Sequence, residues 1–281
     1  MDGENAAHWL VRVCNRLGPA AMLVAALIAG CAENPITGRS QLLLVTEEQA
    51  IGSSAAAYRS MIGELESKKQ IETGTPRAAK VKDIVDRLIV EAVRARPDAA
   101  NWKWEVKLID DPKTVNAFAM AGGKTAIYGG MWEKLKASDD EIAQVMGHEI
   151  GHAIASHTRE RMSVALASGL ATSVAAIAVS SRDSQHSEHV LTGLELAAVV
   201  AITLPNSREA ETEADRIGIE LAARAGYDPK AAVTLWEKMS KLGGVPPEFL
   251  STHPAPERRK ETLQALAANL EPIYQAAKRS R

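Results

Sequence analysis

The chain has 281 residues, of which 46% are hydrophobic and 24% are charged, and its formal net charge is -2. This is the composition of an ordinary globular protein, and the length suffices for one well-buried domain with appendages. The near-neutral charge excludes the basic footprint that is typical of nucleic-acid-binding proteins.

Residues 1–30 have the pattern of an export signal. Two arginines precede an apolar run at residues 17–30, which is too short to favour a membrane span. The run ends in Leu-Ile-Ala-Gly-Cys, which resembles a bacterial lipobox. The resemblance implies a lipoprotein signal peptide cleaved before Cys31, lipid on the Cys31 thiol, and sorting to the outer membrane because Ala32 follows. The alternative is an ordinary secretory signal that is cut elsewhere.

The mature chain begins with a turn-rich segment, residues 31–45, which is predicted to be a lipidated N-terminus and tether. Thr46-Glu47-Glu48-Gln49 has the form of a capping box and predicts a helix that reaches about Glu66. Apolar residues then recur with the helical period between residues 81 and 92, which predicts a second helix.

A small sheet is predicted next. Apolar and polar residues alternate over residues 101–108, as in a half-buried strand. Residues 115–120 and 124–128 flank Gly122-Gly123, which predicts a β-hairpin. The predicted fold class is therefore α+β, mainly helical, with a small antiparallel sheet set among helices.

The next helix carries the most informative motif of the chain. Ser138-Asp139-Asp140-Glu141 is a second capping box and opens a helix that contains His148-Glu149-Ile150-Gly151-His152. Because residues at i and i+4 share a helix face, the two imidazoles can bind one zinc ion while Glu149 reaches a metal-bound water. The motif predicts metal-assisted hydrolysis.

A third metal ligand is predicted downstream. A catalytic zinc usually takes three protein ligands and leaves one position for water. Glu211 and Asp215 are four residues apart on a helix predicted from Ser207 to Ala225, so they share a face. Glu211 is predicted to bind zinc, and Asp215 is predicted to hydrogen-bond a ligating histidine and fix its tautomer. The alternative is a solvated acidic face beside Arg208 and Arg216.

These motifs together resemble the M48 family of zinc metallopeptidases. The stretches at residues 34–39, 116–118 and 251–254 are similar to those of its bacterial outer-membrane lipoprotein and periplasmic members. The resemblance implies that residues 46–281 form a zincin-like metallopeptidase domain with Zn²⁺ as cofactor. Glu149 would accept a proton from the attacking water and pass it to the leaving amine.

The resemblance also implies that an extended substrate pairs with an edge strand above the active-site helix. The hairpin's second strand is predicted to be that edge, and Arg208 is named as an oxyanion stabiliser. The predicted substrate contacts are Asn116, Lys124, Thr125, Ala126, Ile127, Tyr128 and Arg208.

His253 lies in the stretch Ser-Thr-His-Pro. The resemblance implies that His253 is a fourth, regulatory zinc ligand, which would hold the enzyme latent until substrate displaces it. The alternative is a surface residue of a Pro-rich loop. His157, five residues after His152, is off the metal face and is predicted to have a packing or surface role.

Two further stretches remain, Met162–Val179, which has no charged residue, and Val190–Leu204, which is shorter and carries Glu195. They are predicted to form a helical hairpin that packs over the active site as a lid or against neighbouring elements. The alternative is a hairpin that dips into the membrane.

The predicted function is that of a zinc endopeptidase that faces the periplasm, anchored to the outer membrane through Cys31. Its predicted partners, by resemblance, are damaged or misassembled envelope proteins, with no nucleic acid. One alternative is a chaperone or assembly factor for outer-membrane proteins with structural zinc. Another is an envelope lipoprotein without metal. Glu149 favours the enzyme, because a structural zinc site would not need it.

Overall fold

The computed structural model describes most of the chain after the export signal. The predicted signal, residues 1–30, and the middle of the predicted lid hairpin, residues 178–196, lie outside the described residues. The described ranges are 31–34, 36–177, 197–203, 205–242, 247–254 and 258–280.

Helices make up most of the described structure, and both predicted capping boxes are present. Thr46 and Ser138 each accept a hydrogen bond from the third backbone amide of their helix, and that third residue bonds back to the cap. The helices are α1 Glu47–Ser67, α2 Pro76–Ala95, α3 Gly130–Glu133, α4 Asp139–Ile154, α5 His157–Ile177, α6 Arg208–Arg224, α7 Ala231–Ser240, α8 Glu248–Thr252 and α9 Arg259–Arg279. Residues 197–203 are also helical.

Two small sheets accompany the helices. The strands are β1 Cys31–Glu33, β2 Ser40–Leu42, β3 Ile71–Glu72, β4 Glu105–Ile109, β5 Ala117–Met120 and β6 Lys124–Tyr128. One sheet is the antiparallel pair of β1 and β2, and the other has four strands in the order β3-β4-β6-β5. The α+β, mainly helical fold with a zincin-like arrangement is therefore confirmed.

The larger sheet is mixed, which corrects the prediction of a purely antiparallel sheet. β5 and β6 form the predicted antiparallel hairpin, and Gly122 and Gly123 both have a φ of +79° in its turn. However, β6 lies between β4 and β5 in the sheet. Because the chain reverses direction twice between β4 and β6, these two strands run parallel.

This topology also shows that the edge-strand prediction was wrong. Strand β6, Lys124–Tyr128, is paired on one side with β4 and on the other with β5, so its backbone has no free edge. The outer strand on this side of the sheet is β5, which packs against α4. Pairing order depends on contacts between distant strands, which the local hairpin pattern does not contain.

The segment predicted as a tether is docked against the domain. The side chains of Asn34 and Gln41 donate hydrogen bonds to the carbonyl oxygen of Ala155, just beyond the end of α4. Arg39 forms ion pairs with Glu160 on α5 and Glu213 on α6. Residues 31–45 therefore belong to the folded unit in the part that the structure describes.

The core forms where α2, the sheet, α4 and α6 meet. Its fully buried members include Leu88, Ile127, Met146 and Ile150. A second cluster joins Phe118 and Met120 of β5 to apolar residues of α1, α5 and the helical segment 197–203. Among the described residues, no helix is both long and apolar enough to cross a membrane.

Helices α4 and α6 approach each other at glycines. A Cβ at Gly147 would lie 2.7 Å from the carbonyl oxygen of Gly218, and one at Gly218 would lie 2.5 Å from the backbone nitrogen of His148. Only glycine permits this contact without moving a backbone. The contact brings Glu211 and Asp215 on α6 beside the histidines on α4.

We predict that Gly218→Ala lowers the free energy of unfolding by about 2–3 kcal/mol, because the added methyl group forces the two backbones apart. Urea unfolding followed by circular dichroism measures this change. Gly63→Ala is the matched control, since Gly63 is an exposed helical glycine of α1 whose Cβ would meet nothing within 4 Å. The control should be neutral or stabilising by about 0.5–1 kcal/mol. Equal effects of the two substitutions would contradict the close-contact explanation.

Candidate metal centre

Four buried side chains form one cluster of ligand atoms: His148, His152, Glu211 and His253, with all four atoms within 4.8 Å of one another. The Nε2 atoms of His148 and His152 are 3.0 Å apart. Oε1 of Glu211 lies 3.2 Å from His152 Nε2, and Oε2 lies 3.4 Å from His148 Nε2. Donor atoms around a tetrahedral ion with bonds of about 2.0–2.1 Å are separated by about 3.3 Å, so these residues fit a small divalent cation.

His253 contacts both Glu211 and His148 within the cluster. Its Nδ1 lies 3.0 Å from Glu211 Oε1 and 3.2 Å from His148 Nε2, and its Nε2 lies 3.3 Å from Glu149 Oε1. The ring stacks on Phe249, which precedes it by one helical turn, at a centroid distance of 4.3 Å. Asn206 contacts both His253 Nδ1 and the carbonyl oxygen of Thr252. Helix α8 therefore presents His253 to the other ligand atoms.

Glu149 lies beside the cluster without joining it. Its side chain is buried, and among the described residues its Oε1 has no hydrogen-bond partner. Burial raises the pKa of the Glu149 carboxyl above its usual range. The nearest polar group to this oxygen is His253 Nε2, at 3.3 Å. A buried carboxylate oxygen without a well-formed hydrogen bond to protein, next to a set of metal ligands, is suited to accept a hydrogen bond from water.

Asp215 and Arg259 support the ligands from behind. Oδ1 of Asp215 lies 2.9 Å from His148 Nδ1, so the carboxylate can fix the ring with Nε2 towards the cluster. Arg259 on α9 donates hydrogen bonds to Asp215 Oδ1 at 2.7 Å and to Glu211 Oε2 at 3.2 Å. Its guanidinium also lies over the ring of Trp236. The predicted pairing of Asp215 with a histidine has the required geometry, whereas no sequence pattern indicated Arg259.

The electrostatics favour positive charge in the cluster. Burial opposes protonation of His148, but the carboxylates of Glu211 and Asp215 outweigh it and raise the pKa of His148 to about 9. Burial also disfavours the ionised form of Glu211, yet the surrounding histidines hold its pKa well below the usual range. Both shifts have the same cause, the attraction between buried carboxylates and positive charge, and a divalent cation bound here would be stabilised by the same carboxylates.

A further pair close to the site, which was not predicted from the sequence, consists of buried His157 and partly buried Glu213. His157 is 1% exposed, and its two ring nitrogens lie 2.8 Å from His152 Nδ1 and 2.8 Å from Glu213 Oε2. The spacing of five residues after His152 places His157 away from the metal ligands only if both histidines lie on one continuous helix. In fact α4 ends at Ile154, and Ser156 adopts a φ of +59°, so His157 begins a new helix in a different direction.

The predicted substrate residues lie in different surroundings. Asn116 is buried next to β5, and its Oδ1 accepts a hydrogen bond from the amide of Ala117. Arg208 is exposed at the start of α6. A different arginine, Arg161 on α5, interacts electrostatically with Glu149 and Glu211, and burial lowers its pKa to about 10.

Comparison with known proteins gives a consistent result. The family model described as "Peptidase family M48" matches residues 76–267. The mitochondrial metalloendopeptidase OMA1 of Saccharomyces cerevisiae is 30% identical over 90% of this chain and 76% of its own length. The human mitochondrial metalloendopeptidase OMA1 is 30% identical over 83% of this chain, and the β-barrel assembly-enhancing protease of Escherichia coli is 33% identical over 57% of it. The chain spans only 45% and 34% of the length of these last two relatives.

Proposed function

This chain belongs to peptidase family M48 and is a metalloendopeptidase, and we propose that it uses zinc to cleave misfolded or misassembled proteins of the bacterial envelope. The observation that carries the zinc proposal is the buried set of three imidazoles and one carboxylate at tetrahedral spacing. Within this set, His148, His152 and Glu211 are the two imidazoles and one carboxylate that a catalytic zinc site can use as its three protein ligands.

His148, His152 and Glu211 would hold the zinc, which when bound would lower the pKa of a water and polarise the scissile carbonyl. Glu149 accepts the proton of the attacking water and delivers it to the leaving amine. Burial supports this role, because a carboxyl whose pKa is raised is a better base and can return the proton. Asp215 keeps His148 in the tautomer that frees its Nε2, and Arg259 offsets part of the negative charge of Glu211 and Asp215.

The substrate would pair with β5 rather than β6. Strand β5 is the outer strand next to α4, so its outward-facing backbone groups are the ones that an extended peptide can reach. All four residues of β5 are buried, and Phe118 and Met120 share an apolar cluster with Met162 of α5 and Ala201. This packing supports a lid function for α5 and the helical segment 197–203, which would have to move before a substrate can bind.

We predict that Glu149→Gln leaves zinc binding intact and lowers cleavage of an unfolded protein by at least about 100-fold, because only the proton transfer is lost. Zinc content is measured by mass spectrometry and cleavage by release of labelled fragments. Glu66→Gln, which changes an exposed glutamate of α1, should match the wild type in both measurements. Equal cleavage by wild type and Glu149→Gln would contradict the mechanism.

A second candidate function is that of a zinc-containing chaperone or assembly factor with low or latent proteolysis. The observation in its favour is the position of His253, which lies 3.0 Å from Glu211 and 3.3 Å from Glu149 and so occupies the space where water and substrate would bind. A fourth protein ligand is typical of structural rather than catalytic zinc sites.

We predict that His253→Ala raises basal proteolysis several-fold, because it opens the fourth coordination position to water. Initial rates on an unfolded protein measure the change, and the double variant Glu149→Gln/His253→Ala controls for contaminating proteases. A folded, zinc-loaded His253→Ala variant with unchanged or lower activity would count against latency. If that variant and the wild type both bind zinc, suppress aggregation and cleave nothing, the chaperone function is favoured.

The proposed location is the periplasmic face of the bacterial outer membrane, with the lipid on Cys31. Support comes from the lipobox-like sequence and from the exposed position of Cys31 at the start of β1. The E. coli relative is named for β-barrel assembly, whereas the yeast and human relatives are named as mitochondrial. Since the names of the relatives point to different compartments, the proposed location rests on the lipobox-like N-terminal sequence of this chain.

We predict that the chain, expressed in E. coli with its own N-terminus, incorporates labelled palmitate and fractionates with the outer membrane. Cys31→Ala should abolish both, because the thiol that accepts the lipid is lost. Cys14→Ala is the control and should change neither. Undiminished labelling of Cys31→Ala, or a mature N-terminus at another residue, would contradict lipid anchoring at Cys31.

A further inference from the structure

We propose that His157 is a positioning residue for the ligand His152, and that Glu213 in turn fixes His157. The inference rests on the proposed function in one respect, since it takes His152 to be a metal ligand. Neither His157 nor Glu213 touches the cluster of ligand atoms directly, so both would act through His152.

The contacts form an unbroken line of hydrogen-bond distances. His152 Nδ1 lies 2.8 Å from His157 Nδ1, with the two rings inclined by 69°. His157 Nε2 lies 2.8 Å from Glu213 Oε2. His152 and His157 are each 1% exposed, so water does not compete for the contact between the two rings, whereas the Glu213 side chain is 14% exposed.

The positions of the protons follow one from another. His152 presents Nε2 to Glu211 and His148, so Nε2 must be free of a proton to bind a metal. The neutral ring then carries its proton on Nδ1, and this N–H donates a hydrogen bond to His157 Nδ1. Because His157 accepts at Nδ1, its own proton lies on Nε2, and that N–H donates a hydrogen bond to the Glu213 carboxylate. The carboxylate thus selects one tautomer in each of the two rings.

The two helical histidines are supported differently. His148 has a carboxylate, Asp215, directly on its Nδ1 at 2.9 Å. For His152, the imidazole of His157 stands between the ring and the carboxylate of Glu213. Both carboxylates come from α6, where Glu213 lies two residues after Glu211 and Asp215 lies four residues after it. The helix that supplies the ligand Glu211 therefore also orients both histidines.

The outer end of this line is held by the N-terminal segment. Arg39 Nε lies 3.0 Å from each carboxylate oxygen of Glu213. The other two nitrogens of the same guanidinium bind both oxygens of Glu160 on α5, at 2.7 and 2.6 Å. Arg39 therefore fixes Glu213 relative to the helix that carries His157.

Zinc affinity separates a positioning role from a purely structural one. His157→Phe keeps the ring volume but can neither accept from His152 nor donate to Glu213. His157→Gln restores an acceptor and a donor on a side chain of similar reach. Ser163→Ala is the matched control, since Ser163 is a buried residue of α5 that accepts a hydrogen bond from the Val45 amide, away from His152.

All variants are made in the Glu149→Gln background to prevent self-cleavage. Zinc affinity is measured by competition with a chromophoric chelator, and urea unfolding of the metal-free proteins measures stability separately. We expect His157→Phe to weaken zinc binding about 10- to 100-fold, as for other partners of metal-binding histidines. His157→Gln should recover most of this loss, and Ser163→Ala should retain the parent affinity even if it is less stable. If His157→Phe does not fold, Glu213→Ala is expected to weaken zinc binding at least several-fold.

Parent-like affinity in folded His157→Phe, or in Glu213→Ala where His157→Phe does not fold, would overturn the inference while leaving the zinc site intact. The inference would also be overturned if zinc affinity fell only in proportion to the stability of the metal-free variants and His157→Gln did not recover it. Absence of zinc binding by the Glu149→Gln parent and by the wild type would instead overturn the proposed function, and this inference with it.

Discussion

The close contact of α4 and α6 is the constraint on which the rest of the structure depends. Two glycines remove the side chains that would otherwise separate the helices, and Gly218 lies almost against the backbone of His148. At this distance a carboxylate on α6 reaches imidazoles on α4 directly. The packing of the core and the assembly of the metal centre are thus consequences of the same contact.

That contact also concentrates charge where burial makes charge costly. Glu211, Asp215 and Glu149 are all buried, and such groups are stable only when other charges or a metal compensate them. Arg259, which donates hydrogen bonds to Glu211 and Asp215, supplies part of the compensation, and a bound divalent cation would supply more. Burying three carboxylates at the metal centre is locally unfavourable, and such burial is typical of enzymes whose active-site groups are preorganised.

The sequence predicted what depends on neighbouring residues. The capping boxes at Thr46 and Ser138, the Gly122-Gly123 hairpin and the shared helix face of Glu211 and Asp215 are local patterns, and the structure contains all of them. The order of strands in the sheet was missed because pairing is decided by distant contacts. Arg259 was missed because nothing near it in the chain indicates a buried arginine, and His157 was missed because a single left-handed residue redirects the helix.

The docking of the N-terminal segment has a mechanical consequence. The Asn34 side chain is hydrogen-bonded to Ala155 at the corner between α4 and α5, and Cys31 lies only three positions before it in the chain. Even fully extended, three residues span only about 10 Å. With the proposed lipid on Cys31, no flexible linker would separate the membrane from the folded domain. The metal centre would then be held close to the bilayer surface, and only polypeptides near that surface could reach it.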